Sequence, residues 1–176
     1  MTTTFDISKT SAYQQKLMGL LGSRDPFEVL DSTADVVAKF VADHPARVLR
    51  TRPYAGKWTP NEIIGHLTDT ECVLGYRSRM ILCEENPVIT PMDQDLWVAG
   101  QKLNEREPRE LIEFFRYLRQ WNLALWTKLT PSQLARTGRH AERGVESLSM
   151  MIRMYAGHDL SHIDQITRYL AAIIGA

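Results

Sequence analysis

The chain has 176 residues and a mass of 20.2 kDa, and its 21 Lys plus Arg are balanced by 21 Asp plus Glu. A formal charge of zero argues against a sequence-blind nucleic-acid binder, which needs surplus positive charge to displace counterions. With 44% hydrophobic and 24% charged residues the chain reads as globular rather than disordered. The opening MTTTFDISKT lacks the pattern of a signal peptide, and no run of about 18 apolar residues suggests a membrane span. The expectation is one cytoplasmic domain over residues 1–176, with neither nucleic acid nor membrane as partner.

The chain punctuates itself into helices. A short leading helix is expected around Tyr13 to Leu21. Asp25-Pro26-Phe27-Glu28 is a start signal, with Asp as N-cap, Pro at the first helical position and Glu two residues further on. Phe27, Leu30, Ala34, Val37 and Val41 follow at three-four spacing, and the run stops at His44-Pro45, because the residue before a proline is pushed out of the helical region. Thr59-Pro60-Asn61-Glu62 repeats the signal as a capping box, with Trp58 and Ile63 as a hydrophobic staple. Ile63, Leu67, Thr70, Leu74 and Ile81 mark the buried stripe of this second helix, which lasts to about Glu84. Its two cysteines, Cys72 and Cys83, are eleven residues apart. That is roughly 16 Å along a helix, too far for a disulfide, so they read as small core or half-buried residues.

Residues 86–107 carry two helix breakers, Asn86-Pro87 and Thr90-Pro91, and read as a long irregular connection. A third helix is expected from Pro108 to Leu129, with Leu111, Phe114, Phe115, Leu118, Trp121, Leu125 and Leu129 facing the core. The polar loop RTGRHAERG precedes a fourth helix from about Ser147 to Ala172. With no convincing strand, the fold class is all-α: a four-helix bundle with a long crossover connection between its second and third helices.

The five histidines are the most informative minority. His158 and His162 sit at i and i+4, where two imidazoles share one helical face and can bind one divalent ion. In phase they fill the gap in the apolar stripe between Tyr155 and Ile166, so they interrupt the buried face. His66 lies beside the stripe of the second helix in the same way. Three inward histidines form a cluster with at least one open coordination position, as in catalytic metal sites. The alternative is three core histidines hydrogen-bonded to Tyr, Ser or backbone. His44 and His140 read as surface residues. No HExxH, paired Glu-x-x-His, Walker loop or G-x-S-x-G is present.

Glu62 is one turn before His66 and is the candidate catalytic base or orienting group, although its capping role competes. Asp159 and Asp164 read as solvated acids. Arg77, close to three turns after His66, is a candidate substrate-binding residue for a carboxylate, with a structural ion pair as the alternative. Trp97, with Asp93, is a candidate for the mouth of the site.

Trp58-Thr59-Pro60-Asn61-Glu62 with Gly65-His66-Leu67, Thr70-Glu71 and Tyr76-Arg77, followed by Ala156-Gly157-His158-Asp159-Leu160-Ser161-His162-Ile163-Asp164-Gln165-Ile166, resembles the DinB/YfiT-like metalloenzymes. The resemblance spans about Tyr13 to Ala172. It implies a four-helix bundle holding one divalent metal ion (zinc, nickel or iron) on His66, His158 and His162, and a homodimer. Characterised relatives include transferases that join low-molecular-weight thiols such as bacillithiol or mycothiol to electrophiles, and a mycothiol-dependent isomerase. The expected function is therefore a metal-dependent thiol S-transferase, with a small-molecule thiol and an electrophile as partners. The alternatives are a non-catalytic metal-binding stress-response protein and a metal-dependent hydrolase.

Overall fold

The computed structural model of the chain describes residues 11–175. The segment 1–10, read above as lacking a signal peptide, lies outside the described residues. Four long helices build the bundle: α2 (Pro26–Asp43), α4 (Pro60–Cys83), α6 (Pro108–Trp126) and α8 (Leu148–Ile174). Short helices accompany them: α1 (Ala12–Leu21), α3 (Ala46–Leu49), α5 (Gln94–Gly100) and α7 (Pro131–Leu134). Among the described residues no helix is long and apolar enough to cross a membrane.

The caps are those the sequence signals. Asp25 Oδ1 accepts from Phe27 N at 2.7 Å. The Thr59 hydroxyl accepts from Glu62 N at 3.1 Å while Glu62 Oε2 accepts from Thr59 N at 2.6 Å, closing the capping box of α4. At the far end of α2, His44 is half-buried at the C-cap with Nδ1 2.9 Å from Phe40 O.

Both α2 and α4 pack against α6 and α8, so α2 and α4 occupy opposite corners. The apolar interior falls into two clusters. One gathers Leu30, Leu74, Ile81, Trp126, Leu148 and Ile152; the other gathers Val37, Ile63, Leu67, Phe115, Ile166 and Leu170. Where the clusters meet, α4 carries His66, Thr70 and Glu71 and α8 carries His158 to His162, so a polar layer crosses the middle of the bundle. The leading helix α1 packs on α8 at Gly157, where any Cβ would sit on the Leu17 carbonyl.

Four expectations are corrected. The chain does contain strands: β1 (Val88–Ile89) pairs parallel with β2 (Thr137–His140), which pairs antiparallel with β3 (Gly144–Ser147). Two to four residues are too few for alternation to show in a sequence. The hairpin is tied to the end of α4 by Arg136, whose Nε donates to Ile81 O at 2.8 Å. His140, expected at the surface, is 1% exposed, because β2 is the central strand of this sheet. Asp159, expected in solvent, is 2% exposed and ion-paired. The two cysteines are exposed.

The buried face of α6 also differs from the expected stripe. Leu111, Ile112, Phe115, Arg119, Asn122, Leu123 and Trp126 face inward, whereas Phe114 and Trp121 are exposed. The inward face contains an arginine and an asparagine, so an apolar count along α6 selects a neighbouring face. The connection between α4 and α6 is long, as expected, but ordered. Asn61 Nδ2 donates to Leu103 O and Arg106 O, both at 2.9 Å.

Candidate metal centre

The bundle brings His66 of α4 together with His158 and His162 of α8. Nε2 of His158 lies 3.2 Å from Nε2 of His66 and 3.0 Å from Nε2 of His162. One ligand atom from each residue lies within 4.8 Å of the others. Zinc–nitrogen bonds of about 2.0–2.1 Å place tetrahedral ligand atoms roughly 3.3 Å apart. The cluster is therefore close to the spacing of a coordination shell.

Hydrogen bonding alone does not account for it. A neutral imidazole has a single N–H. That of His162 is at Nδ1, 2.9 Å from the Gln165 carbonyl oxygen Oε1, which leaves its Nε2 as a lone pair. Nε2 of His158 then either donates or accepts, so at most one of its two short Nε2 contacts is a hydrogen bond. At least one of the two contacts therefore brings lone pairs together, a cation between the three Nε2 atoms would relieve it, and the residues fit a divalent ion.

The electrostatics keep two of the three imidazoles, His66 and His162, neutral. Burial, reinforced by His158 and then His162, holds the His66 pKa well below its ordinary value. Burial and the proximity of His158 lower that of His162 to about 3. Trp58 packs on His66 with ring centroids 4.9 Å apart, and Tyr155 lies 5.9 Å from the His158 ring. Gln165 is itself held, donating from Nε2 to Tyr169 Oη at 3.0 Å. No fourth His, Cys, Asp or Glu joins the group among the described residues.

Beside the histidines a buried ion cluster clamps the four helices. Arg119 of α6 reaches Glu71 of α4 through Nη2 at 2.8 Å and Nε at 2.9 Å. Its Nη1 reaches Asp159 of α8 at 2.8 Å and donates to Leu30 O of α2 at 2.5 Å. Asn122 Nδ2 donates to Glu71 Oε1 at 2.8 Å. Burial on its own would lower the Arg119 pKa, but Asp159 and Glu71 outweigh it and raise it. Burial likewise pushes the Asp159 carboxyl up, yet Arg119 and then His158 bring it below its ordinary value. Asp159 Oδ1 also stands 4.0 Å from His158 Nδ1, so the clamp adjoins the histidine site.

Glu62 is turned to its own helix N-terminus. Oε2 holds Thr59 N, and Oε1 accepts from Arg52 Nη2 at 3.1 Å. Arg77 is 5% exposed and lines a cavity of about 350 Å³ together with His66, His158, Thr70 and Tyr155. Met92 and Gln94 of the connection also line it, whereas Trp97 and Asp93 do not. Asp164 is exposed and paired with Arg168 at 2.9 Å.

The sequence assigns no site role to Arg119 or Gln165. Gln165 is three residues after His162 and so on its face. Arg119 falls in the inward phase of α6, which its own charge conceals.

The comparisons with known proteins agree with this geometry. The DinB superfamily profile matches residues 30–166. A protein of Oceanobacillus iheyensis named "Putative metal-dependent hydrolase" is 32% identical over 119 residues, 68% of this chain and 69% of that protein. A Bacillus mycoides protein of the same designation is 25% identical over 138 residues, 78% of this chain and 79% of its own. Among solved structures, YfiT from Bacillus subtilis, described as "a probable metal-dependent hydrolase with an unusual four-helix bundle topology", superposes with a TM-score of 0.79 at 25% identity, covering 85% of this chain and 86% of its own. This chain belongs to the DinB superfamily and shares the four-helix-bundle fold of YfiT.

Proposed function

We propose that this chain is a metal-dependent transferase that joins a small-molecule thiol to an electrophile. The observation that carries the reading is the convergence of three imidazole Nε2 atoms within 3.0 and 3.2 Å contacts, with two of the three residues, His66 and His158, lining a cavity of about 350 Å³. His66, His158 and His162 would hold the ion; an all-imidazole set suits zinc, nickel or ferrous iron. Such an ion supplies Lewis acidity, which lowers the pKa of a bound thiol. In the reaction the thiol sulfur bonds to the electrophilic carbon, the leaving group departs with its electron pair, and the thiol proton is released. Trp58 and Gln165 keep the rings of His66 and His162 in place, and the helices around the polar layer exclude bulk water. With only three protein ligands among the described residues, coordination positions stay open for substrate, which favours an enzyme over a closed structural site.

The test is turnover of a panel of low-molecular-weight thiols with 1-chloro-2,4-dinitrobenzene or a haloalkyl bimane. The reading expects thiol- and metal-dependent conjugation in the zinc- or nickel-loaded protein, and its loss in His162→Ala. No conjugation with any thiol, in protein shown to carry metal, overturns it.

Hydrolysis is the second reading, favoured by the names of the relatives. It needs a general base within reach of the attacking water. The sequence candidate, Glu62, has both oxygens committed to Thr59 N and Arg52. Because glutamine also serves in a capping box, Glu62→Gln separates the two. A thiol transferase keeps its rate within a few-fold, whereas a hydrolase that uses this base loses about 100-fold or more.

A further inference from the structure

Buried charges are normally paired, because an isolated ion is costly to remove from water. Arg119 follows that rule with two carboxylates. Arg143, on the cavity wall, follows it through Glu146, with contacts of 2.5 and 2.9 Å. Arg77 does not. It is 5% exposed, yet its polar contacts are both to neutral groups: Nη1 donates to Tyr155 Oη at 3.1 Å and Nη2 to Thr90 O at 2.5 Å. No carboxylate among the described residues forms an ion pair with it. A guanidinium has five N–H donors, so three remain after these two bonds. Arg77 lines the same cavity as His66 and His158. The acid among the described lining residues, Glu142, is exposed.

We propose that Arg77 is the anchor for a carboxylate on the substrate, so that the site is specific for thiols that carry an anionic group a few bonds from sulfur. This inference rests on the metal-centred reading above and names its substrate class. An arginine fork matches a carboxylate in shape and charge and can bind it through two parallel hydrogen bonds. Tyr155, which takes one Arg77 hydrogen, also has its ring 5.9 Å from that of His158, and Arg77 lines one cavity with His66 and His158. A mercapto-acid in that cavity has its sulfur towards the histidines and its carboxylate on Arg77. The pairing also supplies the counter-ion that the fold withholds from Arg77. Thr90 ties the guanidinium to the connection that follows α4, and Tyr155 ties it to α8, so it is held in place before ligand arrives.

The experiment is calorimetric titration of the zinc-loaded protein with 3-mercaptopropionate and with its uncharged counterpart 3-mercapto-1-propanol, in the wild type, Arg77→Met and Arg77→Lys. Zinc content per chain verifies the fold and the centre in each variant. The wild type is expected to bind the acid at least ten-fold more tightly than the alcohol. That ratio is expected to fall towards one in Arg77→Met and to recover in part in Arg77→Lys, with the affinity for the alcohol unchanged throughout. Equal affinities in the wild type, or an unaltered preference in Arg77→Met, overturn the inference. If the protein takes up no zinc, the metal-centred reading fails by itself. The same two ligands titrated into metal-free protein then still read Arg77: a preference for the acid that Arg77→Met abolishes supports the inference, and no preference overturns it.

Discussion

Replacing Arg119 by methionine probes the polar layer that surrounds the site. The substitution keeps much of the volume but leaves Glu71 and Asp159, with side chains only 1% and 3% exposed, as buried carboxylates without a cation. Breaking a buried pair by removing one partner costs about 3–5 kcal/mol, and the freed Leu30 carbonyl adds about 1 kcal/mol. A loss of about 4 kcal/mol or more is a large share of a typical stability of about 5–15 kcal/mol. Urea unfolding at pH 7 measures it. The pH dependence has a definite sign. In the wild type the Asp159 pKa lies below its ordinary value, so its ionised form stabilises the fold above about pH 3.8 and that contribution is lost as the pH falls through the folded value. In the variant the carboxylates, buried without a cation, are raised and take up protons at higher pH. The gap between the two proteins should therefore be widest near neutrality and shrink as the pH falls from 7 towards 3. Adding Glu71→Gln and Asp159→Asn to Arg119→Met should recover most of the loss, since a neutral layer has no charge to compensate. A deficit under about 1 kcal/mol at pH 7, or a gap that does not close in acid, would refute the clamp.

Two further outcomes follow from the packing around the histidines. Gly157→Ala gains helix propensity worth about 1 kcal/mol, but its Cβ would collide with the Leu17 carbonyl of α1. Overpacking costs about 1–3 kcal/mol, so thermal unfolding should show a net loss; a stabilised Gly157→Ala would mean that α1 does not sit where described. Gln165→Leu removes the acceptor for His162 Nδ1 and should weaken zinc affinity about 10–100-fold without changing stoichiometry, as measured by competition with a chelating dye. Unchanged affinity would show that Gln165 does not orient the ring.

The long helices were legible because their signals are local. Asp25 and Thr59 cap α2 and α4, and the apolar stripe of α4 is buried as its spacing implies. The histidines were legible because they interrupt that periodicity on α8. The rest depended on contacts that no local pattern carries. Arg119 and Asn122 belong to the inward face of α6 only because Glu71 and Asp159 wait for them on other helices. His140 is buried by pairing with a strand about fifty residues earlier in the chain. The role open to Arg77 turned on whether a carboxylate stands beside it, which only the fold decides.

The central claim is that His66, His158 and His162 together hold one divalent ion. Elemental analysis of the protein after dialysis against zinc or nickel tests it directly, with His162→Ala alongside. The account predicts about one ion per chain in the wild type and none retained in His162→Ala, with both proteins folded by circular dichroism. Full occupancy in His162→Ala, or no retained ion in the wild type, would contradict it.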